Sequence, residues 1–418
     1  MHPCLHIDEI TRSIASHVEH RHTLVHLALV CRAFAEPATD ELWSHLDGLK
    51  PLLMCLHSNL LGKSDTVYNA LTILVPPTQD EWSRFRHYAR KVKSLETHAT
   101  YGGRLLDDAG YAILAEHHPD GVLPNLRHLK WHEWGGETPA LPFMRPTLST
   151  LAFVGGTVEA LRAVMAHIRD NLPQLEEFTY SHDSWFSPID ILINDFSDTI
   201  LALHHLTSFP NTSAFIRPDV VLHLSRLSHL TSLAVILENR NRDLWTQPLV
   251  GGFPALTHLT LTVLTKEEGL LPGVQMLQTL SGLALTNIKI KVSIRSVAID
   301  HCTSLISELG RFRRLQECDI WGSSTIDDVE YFDASVFGPL HPLADIRTFT
   351  WPFLPVAFTQ ESAQQLSAAW PQLKEFYVCT PSDEPGPPPP VPGHRPGYMR
   401  LEDLLWLAQR STRLEPGP

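Results

Sequence analysis

The sequence has no apolar run near the roughly 18–20 residues that a membrane-spanning helix requires, and no excess of positive charge. Lys and Arg number 33 against 46 Asp and Glu, a net charge of −13. That balance argues against a general binder of nucleic acid or anionic membrane, since both partners are held by a surplus of Lys and Arg. Cysteine is scarce: residues 4, 31, 55, 302, 318 and 379, with no CxxC pair. Scattered thiols of this kind fit a reduced, cytoplasmic or nuclear setting, and the Asn211-Thr212-Ser213 sequon is then expected to stay unglycosylated. Met1 to Glu9 carry neither a basic segment nor an apolar stretch, so no secretory signal is expected. HExxH, GxSxG and GxGxxG motifs are missing. Gly62-Lys63-Ser64 matches the end of a phosphate loop, but His57 stands where its first Gly should be.

What is present is a core-forming composition, 43% hydrophobic over 418 residues, with 32 Pro between short segments. The length fits two to three ordinary domains or one long array. A phrase recurs, apolar-x-x-apolar-x-apolar. It reads Leu126-x-x-Leu129-x-Trp131, Leu148-x-x-Leu151-x-Phe153, Leu175-x-x-Phe178-x-Tyr180 and, degenerate, Leu206-x-x-Phe209. It continues as Leu230-x-x-Leu233-x-Val235, Leu256-x-x-Leu259-x-Leu261 and Leu280-x-x-Leu283-x-Leu285. The last copies are Leu315-x-x-Cys318-x-Ile320, Ile346-x-x-Phe349-x-Trp351 and Leu373-x-x-Phe376-x-Val378. Weaker copies stand at Tyr68-x-x-Leu71-x-Ile73 and Val92-x-x-Leu95. The steps from Leu126 to Leu373 are 22, 27, 31, 24, 26, 24, 35, 31 and 27 residues.

The phrase describes a short strand whose fourth and sixth residues share one face. A period in the twenties belongs to leucine-rich repeats, each a strand followed by a helix or turn. Between the strands, Val158, Leu161, Val164, Met165 and Ile168 have helical spacing, and 106–118 and 359–370 read similarly. Thr78-x-x-Glu81 is a capping box for a helix over 82–90. The expected fold is therefore α/β. Residues 49–418 form an irregular leucine-rich-repeat solenoid, with a parallel sheet on the concave side and helices on the convex side. Its segment 49–91 is a joining piece, and 381–398, with Pro385-Gly386-Pro387-Pro388-Pro389-Pro390, is an extended loop. A last helix spans 401–409, and Thr412 to Glu415 look like a repeat cut off.

Residues 1–48 have a different period. Ile7, Ile10, Ile14 and Val18 fall on one helix face, and Leu24, Leu27, Val30, Cys31 and Phe34 on a second helix over 23–35. Pro37 suits the first turn of a third helix carrying Leu42 and Trp43. Three such helices bury little surface alone and call for a covering partner.

Leu27-Ala28-Leu29-Val30-Cys31-Arg32-Ala33-Phe34, followed by Pro37 and Leu42-Trp43, resembles the second half of an F-box. Residues 5–46 as a whole resemble the F-box of fungal F-box proteins with leucine-rich repeats, and Asp80 to Val92 resemble the segment joining the two parts in that family. Where F-boxes commonly open with a Leu-Pro pair, this chain has Cys4-Leu5-His6-Ile7, with Pro3 upstream. The resemblance implies the substrate-recognition subunit of a Skp–cullin–F-box ubiquitin ligase, non-catalytic and without cofactor. Its F-box would bind a Skp-family adaptor, and through it a cullin–RING ligase, by way of Leu5, Ile7, Ile10, Leu27, Val30, Cys31, Phe34 and Trp43. Its repeats would hold a protein target. The alternatives are a repeat scaffold that recruits no ligase, and an unrecognised hydrolase.

His17, His20, His22 and His26 cluster, but no Cys or carboxylate is spaced to complete a zinc set, so no metal is expected. Asp107-Asp108 and Asp327-Asp328 read as helix starts, and Trp131 and Trp351 as core. Residue five of each phrase should face the concave surface: Lys130, Ala152, Thr179, Pro210, Ala234, Thr260, Ala284, Asp319, Thr350 and Tyr377. His128, Lys130 and His132 mark the first end. Glu317, Asp319, Trp321, Glu375 and Tyr377 make the other end acidic and aromatic, the better place for a target, since interface anchors favour Trp, Tyr and Arg.

Overall fold

The computed structural model describes residues 5, 7–67, 70–97, 105–133, 140–181, 192–211, 215–237, 252–265, 270–280, 283–294, 299–324, 332–351, 355–379 and 398–409. Pro3, Cys4 and His6 at the start, the Pro-rich segment up to 397, Asp327-Asp328 and residues 412–415 lie outside them. The chain forms two compact units, Met1–His205 and Leu206–Pro418.

In the first unit, α1 (Asp8–Ser16), α2 (Arg21–Val30) and α3 (Arg32–Ser44) run directly into β1 (His45–Leu46). Then come α4 (Lys50–Leu53), β2 (Leu61–Lys63), β3 (Leu71–Ile73), α5 (Gln79–Ala89), β4 (Ser94–Glu96) and α6 (Asp108–His117). β5 (His128–Glu133), β6 (Thr150–Gly155), α7 (Val158–Asn171), β7 (Glu177–Ser181) and α8 (Ile193–Leu201) complete it. The capping box opens α5, with Thr78 and Glu81 satisfying each other's backbone N–H groups. Strands β1, β4, β5, β6 and β7 pair in parallel, and Leu46, Leu95, Leu129, Leu151 and Phe178 are successive Cα partners, all buried. The fourth residue of the phrase is thus one continuous ladder.

Two expectations change here. The second and third helices meet at Cys31, which is fully extended (φ −162°, ψ 164°), so α3 starts at Arg32 and Pro37 lies inside it. Burial of Phe34 and Ala38 on one face outweighs the backbone hydrogen bond that an interior Pro forgoes. Leu71 to Ile73 form no repeat strand. β3 pairs antiparallel with β2 in a separate two-stranded sheet.

The second unit starts with β8 (Ser208–Pro210), α9 (Pro218–Ser225), β9 (Ser232–Leu237), β10 (His258–Thr265), α10 (Leu271–Thr279) and β11 (Asn287–Ile294). α11 (Ile299–Leu309), β12 (Glu317–Ser324), β13 (Phe332–Asp333), β14 (Thr348–Trp351) and β15 (Val356–Ala357) follow. It ends with α12 (Gln360–Ala369), β16 (Glu375–Cys379), β17 (Tyr398–Arg400) and α13 (Leu401–Gln409). Its ladder runs Phe209, Leu233, Leu259, Ile288, Cys318, Phe349 and Phe376, again buried throughout. β17 pairs antiparallel with β16 and ends the parallel series. Gln364 of α12 donates to the carbonyl of Ala408, tying α13 down.

The seventh copy of the phrase shifts by five residues. Its strand is Leu285-x-x-Ile288-x-Ile290, with Ile288 opposite Leu259 and Cys318. Leu285 is fully buried, whereas Leu283, expected at position four, is only partly so. With Leu285 in place the irregular steps of 24 and 35 become 29 and 30, counted from Leu256 and to Leu315.

Two regularities hold the repeats in register. The carbonyl of the residue after position one accepts two N–H groups from the next repeat: Thr257 O takes Thr286 N (2.9 Å) and Asn287 N (3.1 Å), and Gln316 O takes Arg347 N (2.7 Å) and Thr348 N (3.1 Å). Three residues before position one stands a further buried apolar side chain, as in Leu123, Leu172, Phe253, Phe312, Leu343 and Trp370. Its carbonyl accepts the N–H of position one in a tight turn.

Candidate protein-interaction surfaces

The last rungs of the second unit present an open groove of about 430 Å³. Asp319, Thr350 and Tyr377 are successive Cα partners on β12, β14 and β16, so their side chains leave the sheet on its open face, opposite the ladder. Trp321, two residues beyond Asp319, is 49% exposed. Its ring stacks on Tyr377, with centroids 6.5 Å apart and planes 26° apart. Trp321, Thr350, Glu375 and Tyr377 line the groove together with Lys374, Arg400 and Glu402. The expected aromatic pair is therefore assembled in one place, and Glu375 with it.

The charge of this face differs from the expected one. With β11 in its observed register, the residue beside Asp319 is Lys289 instead of Ala284, and Lys291 stands opposite Trp321. Glu317 accepts a hydrogen bond from the Asn287 side chain. Burial raises the Asp319 carboxyl above the usual range, against hydrogen bonding by Thr350 and Trp321 and the charge of Lys289. Its Oδ1 is buried without a hydrogen-bond partner. At the other end, Lys130 pairs with Glu96, and His132 Nδ1 bonds the Thr97 carbonyl. Burial pushes the Cys302 and Cys318 thiols up to about 12, far from the thiolate that nucleophilic chemistry needs.

The N-terminal helices pack around Ala15, Leu24 and Ala38, with Val18, Leu27, Ala28 and Leu42 against them. Of the residues expected to meet an adaptor, Ile7 (47%) and Val30 (70%) are exposed. Leu5, Ile10, Leu27, Cys31 and Trp43 are partly covered, and Phe34 is buried. Trp43 stacks on Tyr88 of α5, centroids 4.3 Å apart, at the head of the β1 rung. Two residues outside the expected set, Val25 and Leu29 (78%), are exposed. Their i,i+4 spacing puts them on one face of α2. The signal was present in Leu24-Val25-His26-Leu27-Ala28-Leu29-Val30, which is apolar nearly all round. A helix so composed in so small a module leaves one side uncovered.

His20, His22 and His26 rings lie about 6 Å apart in sequence. Among the described residues no group of three or more His, Cys, Asp or Glu could hold a metal ion. No described helix is long and apolar enough to cross a membrane.

These features define a mixed α/β repeat protein whose strands pair in parallel at a repeated phrase. No family model and no curated protein matches the chain. Among solved structures, an internalin from Listeria monocytogenes is similar at 13% identity and a TM-score of 0.38, over 71% of this chain and 69% of that one. A Toll–Spätzle complex from Drosophila is similar at 11% identity and a TM-score of 0.28, over 73% of this chain and 42% of that one. Likeness at this level does not bear on what this chain does.

Proposed function

We propose that this chain is the substrate-recognition subunit of a Skp–cullin–F-box ubiquitin ligase. The observation that carries the reading is the uncovered apolar surface of the N-terminal helices, with Ile7, Val25, Leu29 and Val30 in solvent, in a segment whose sequence resembles an F-box. Val25, Leu29 and Val30 stand on one short helix; large apolar side chains gathered in solvent mark a docking surface, and the Skp-family adaptor is the partner that the resemblance implies. The Trp321–Tyr377 groove supports a second half to the role, the capture of a protein target. Two rigid aromatic rings, with carboxylates and Lys and Arg around them, are the composition of an interface centre. The chain catalyses nothing in this reading. It holds the target near the ubiquitin-charged enzyme and raises its effective concentration there.

The test is affinity purification of the full-length chain, scored for Skp, cullin and one enriched target. Recovery of all three supports the proposal. Recovery of a target without Skp, from folded protein, makes the chain a repeat scaffold that recruits no ligase.

A further inference from the structure

A second concavity, of about 470 Å³, lies in the first unit and is lined by Arg12, Asp40, Arg90, Lys91, Lys93 and Arg127, with Asn125 and Thr147. Five cations share it with one carboxylate, in a chain whose net charge is −13. Asp40 is engaged by Arg12 (2.6 Å) and by Lys91. Arg90, Lys93 and Arg127 are exposed and make no ion pair with the described residues. The positions of the three are fixed by the backbone: Arg127 N donates to Lys93 O at 2.8 Å, and Asn125 Nδ2 donates to Arg90 O at 2.6 Å.

We propose that this pocket binds a phosphate group carrying two or more negative charges. The surplus decides the charge of the ligand. A single carboxylate would leave two of the three unpaired cations facing one another, whereas a dianionic phosphate offers three acceptor oxygens to guanidinium and ammonium donors. The volume decides its size. It falls in the range of small-ligand sites, roughly 300–1,000 Å³, and the cations are gathered in one concavity instead of spread along a stripe, which argues against a nucleic-acid duplex. Asp40 sets an upper limit on affinity, because it already occupies Arg12 and Lys91. None of its lining residues is among those expected to meet the adaptor or the target.

The experiment is a calorimetric titration of the full-length chain in phosphate-free buffer, with inorganic pyrophosphate in one arm and a phosphoserine peptide in the other. Binding of pyrophosphate assigns the pocket to a free phosphate compound, and binding of the peptide alone assigns it to a phosphorylated polypeptide. R90A/R127A should lower the affinity about tenfold or more, as loss of two charge-assisted contacts does. D40N should raise it, because Lys91 is released, while Arg12 keeps Asp8 as a partner at 2.6 Å. Melting curves of the unliganded variants confirm that they fold, since both Arg side chains are exposed. Binding of neither ligand, or binding that R90A/R127A leaves unchanged, overturns the proposal.

Discussion

Lys289 on β11 is the Cα partner of Asp319 on β12, and that pairing sets a cation beside the carboxyl. Asp319 is held between burial, which raises its carboxyl, and Lys289 with its hydrogen-bonding neighbours, which lower it; burial wins. A carboxyl whose folded-state value lies above its unfolded value of 3.8 contributes stability below that pH and loses it as pH rises through the folded value. At pH 7 its charge therefore opposes folding. Asp319→Asn should raise the midpoint of denaturant unfolding at pH 7, with a smaller gain at pH 4. Lys289→Met should lower the pH 7 midpoint. Equal midpoints at pH 7 for Asp319→Asn and the parent chain would refute this.

The stacked pair Trp321 and Tyr377 should carry most of the energy of target binding. Trp321→Ala or Tyr377→Ala should each weaken the interaction by about 2 kcal/mol or more, while the melting temperature stays close to that of the parent. Surface plasmon resonance against the enriched target decides it. Unchanged affinity in both variants moves the target site off these rungs.

The register of β11 is open to a direct check. Leu285→Ala should destabilise the fold by about 2–5 kcal/mol, the cost of a cavity at a fully buried position, whereas Leu283→Ala should cost well under half as much. Chemical denaturation of the two variants measures the difference. The opposite order would restore the copy at Leu280-x-x-Leu283.

That copy shows where the sequence stops being readable. Leu280-x-x-Leu283-x-Leu285 and Leu285-x-x-Ile288-x-Ile290 satisfy the same apolar phrase five residues apart, and pattern alone does not rank them. The ladder does, because only Ile288 aligns with Leu259 and Cys318. The other nine copies between Leu126 and Leu373 fall on the ladder to the residue, whereas the weaker copy at Leu71 to Ile73 lies in a separate antiparallel pair. The break at Cys31 was hidden because apolar spacing continues from Leu27 to Phe34 across it. The Trp321–Tyr377 pair was legible because both fall at set offsets in the phrase. The basic pocket was not: Arg12, Asp40, Arg90, Lys93 and Arg127 share no local spacing, and only the packing of α1 and α3 near the β4 and β5 rungs collects them.

His118 gives the first unit an acid sensitivity. Its ring is buried, stacked on Phe85 at 5.3 Å and edge-on to Trp82 at 4.8 Å, and Nε2 has no hydrogen-bond partner. Burial, helped by the charges of Arg86 and His117, lowers it from 6.5 to about 4. A depressed value contributes stability above pH 6.5 that is lost as pH falls toward 4. The full loss is about 3 kcal/mol at 1.36 kcal/mol per pKa unit. His118→Leu should flatten the dependence of unfolding free energy on pH across that window. A slope as steep as the parent's would place the acid sensitivity elsewhere.

The most direct test is a titration of the purified Skp-family adaptor into the full-length chain. The surface and the core of the N-terminal helices predict opposite failures. Leu29→Glu with Val30→Glu places charge on exposed positions and should abolish binding at an unchanged melting temperature. Phe34→Ala, at a buried position, should instead cost about 3–5 kcal/mol of stability. Saturable one-to-one binding by the parent, lost in the Leu29/Val30 variant, is the predicted result. A folded parent chain that takes up no adaptor would contradict the account.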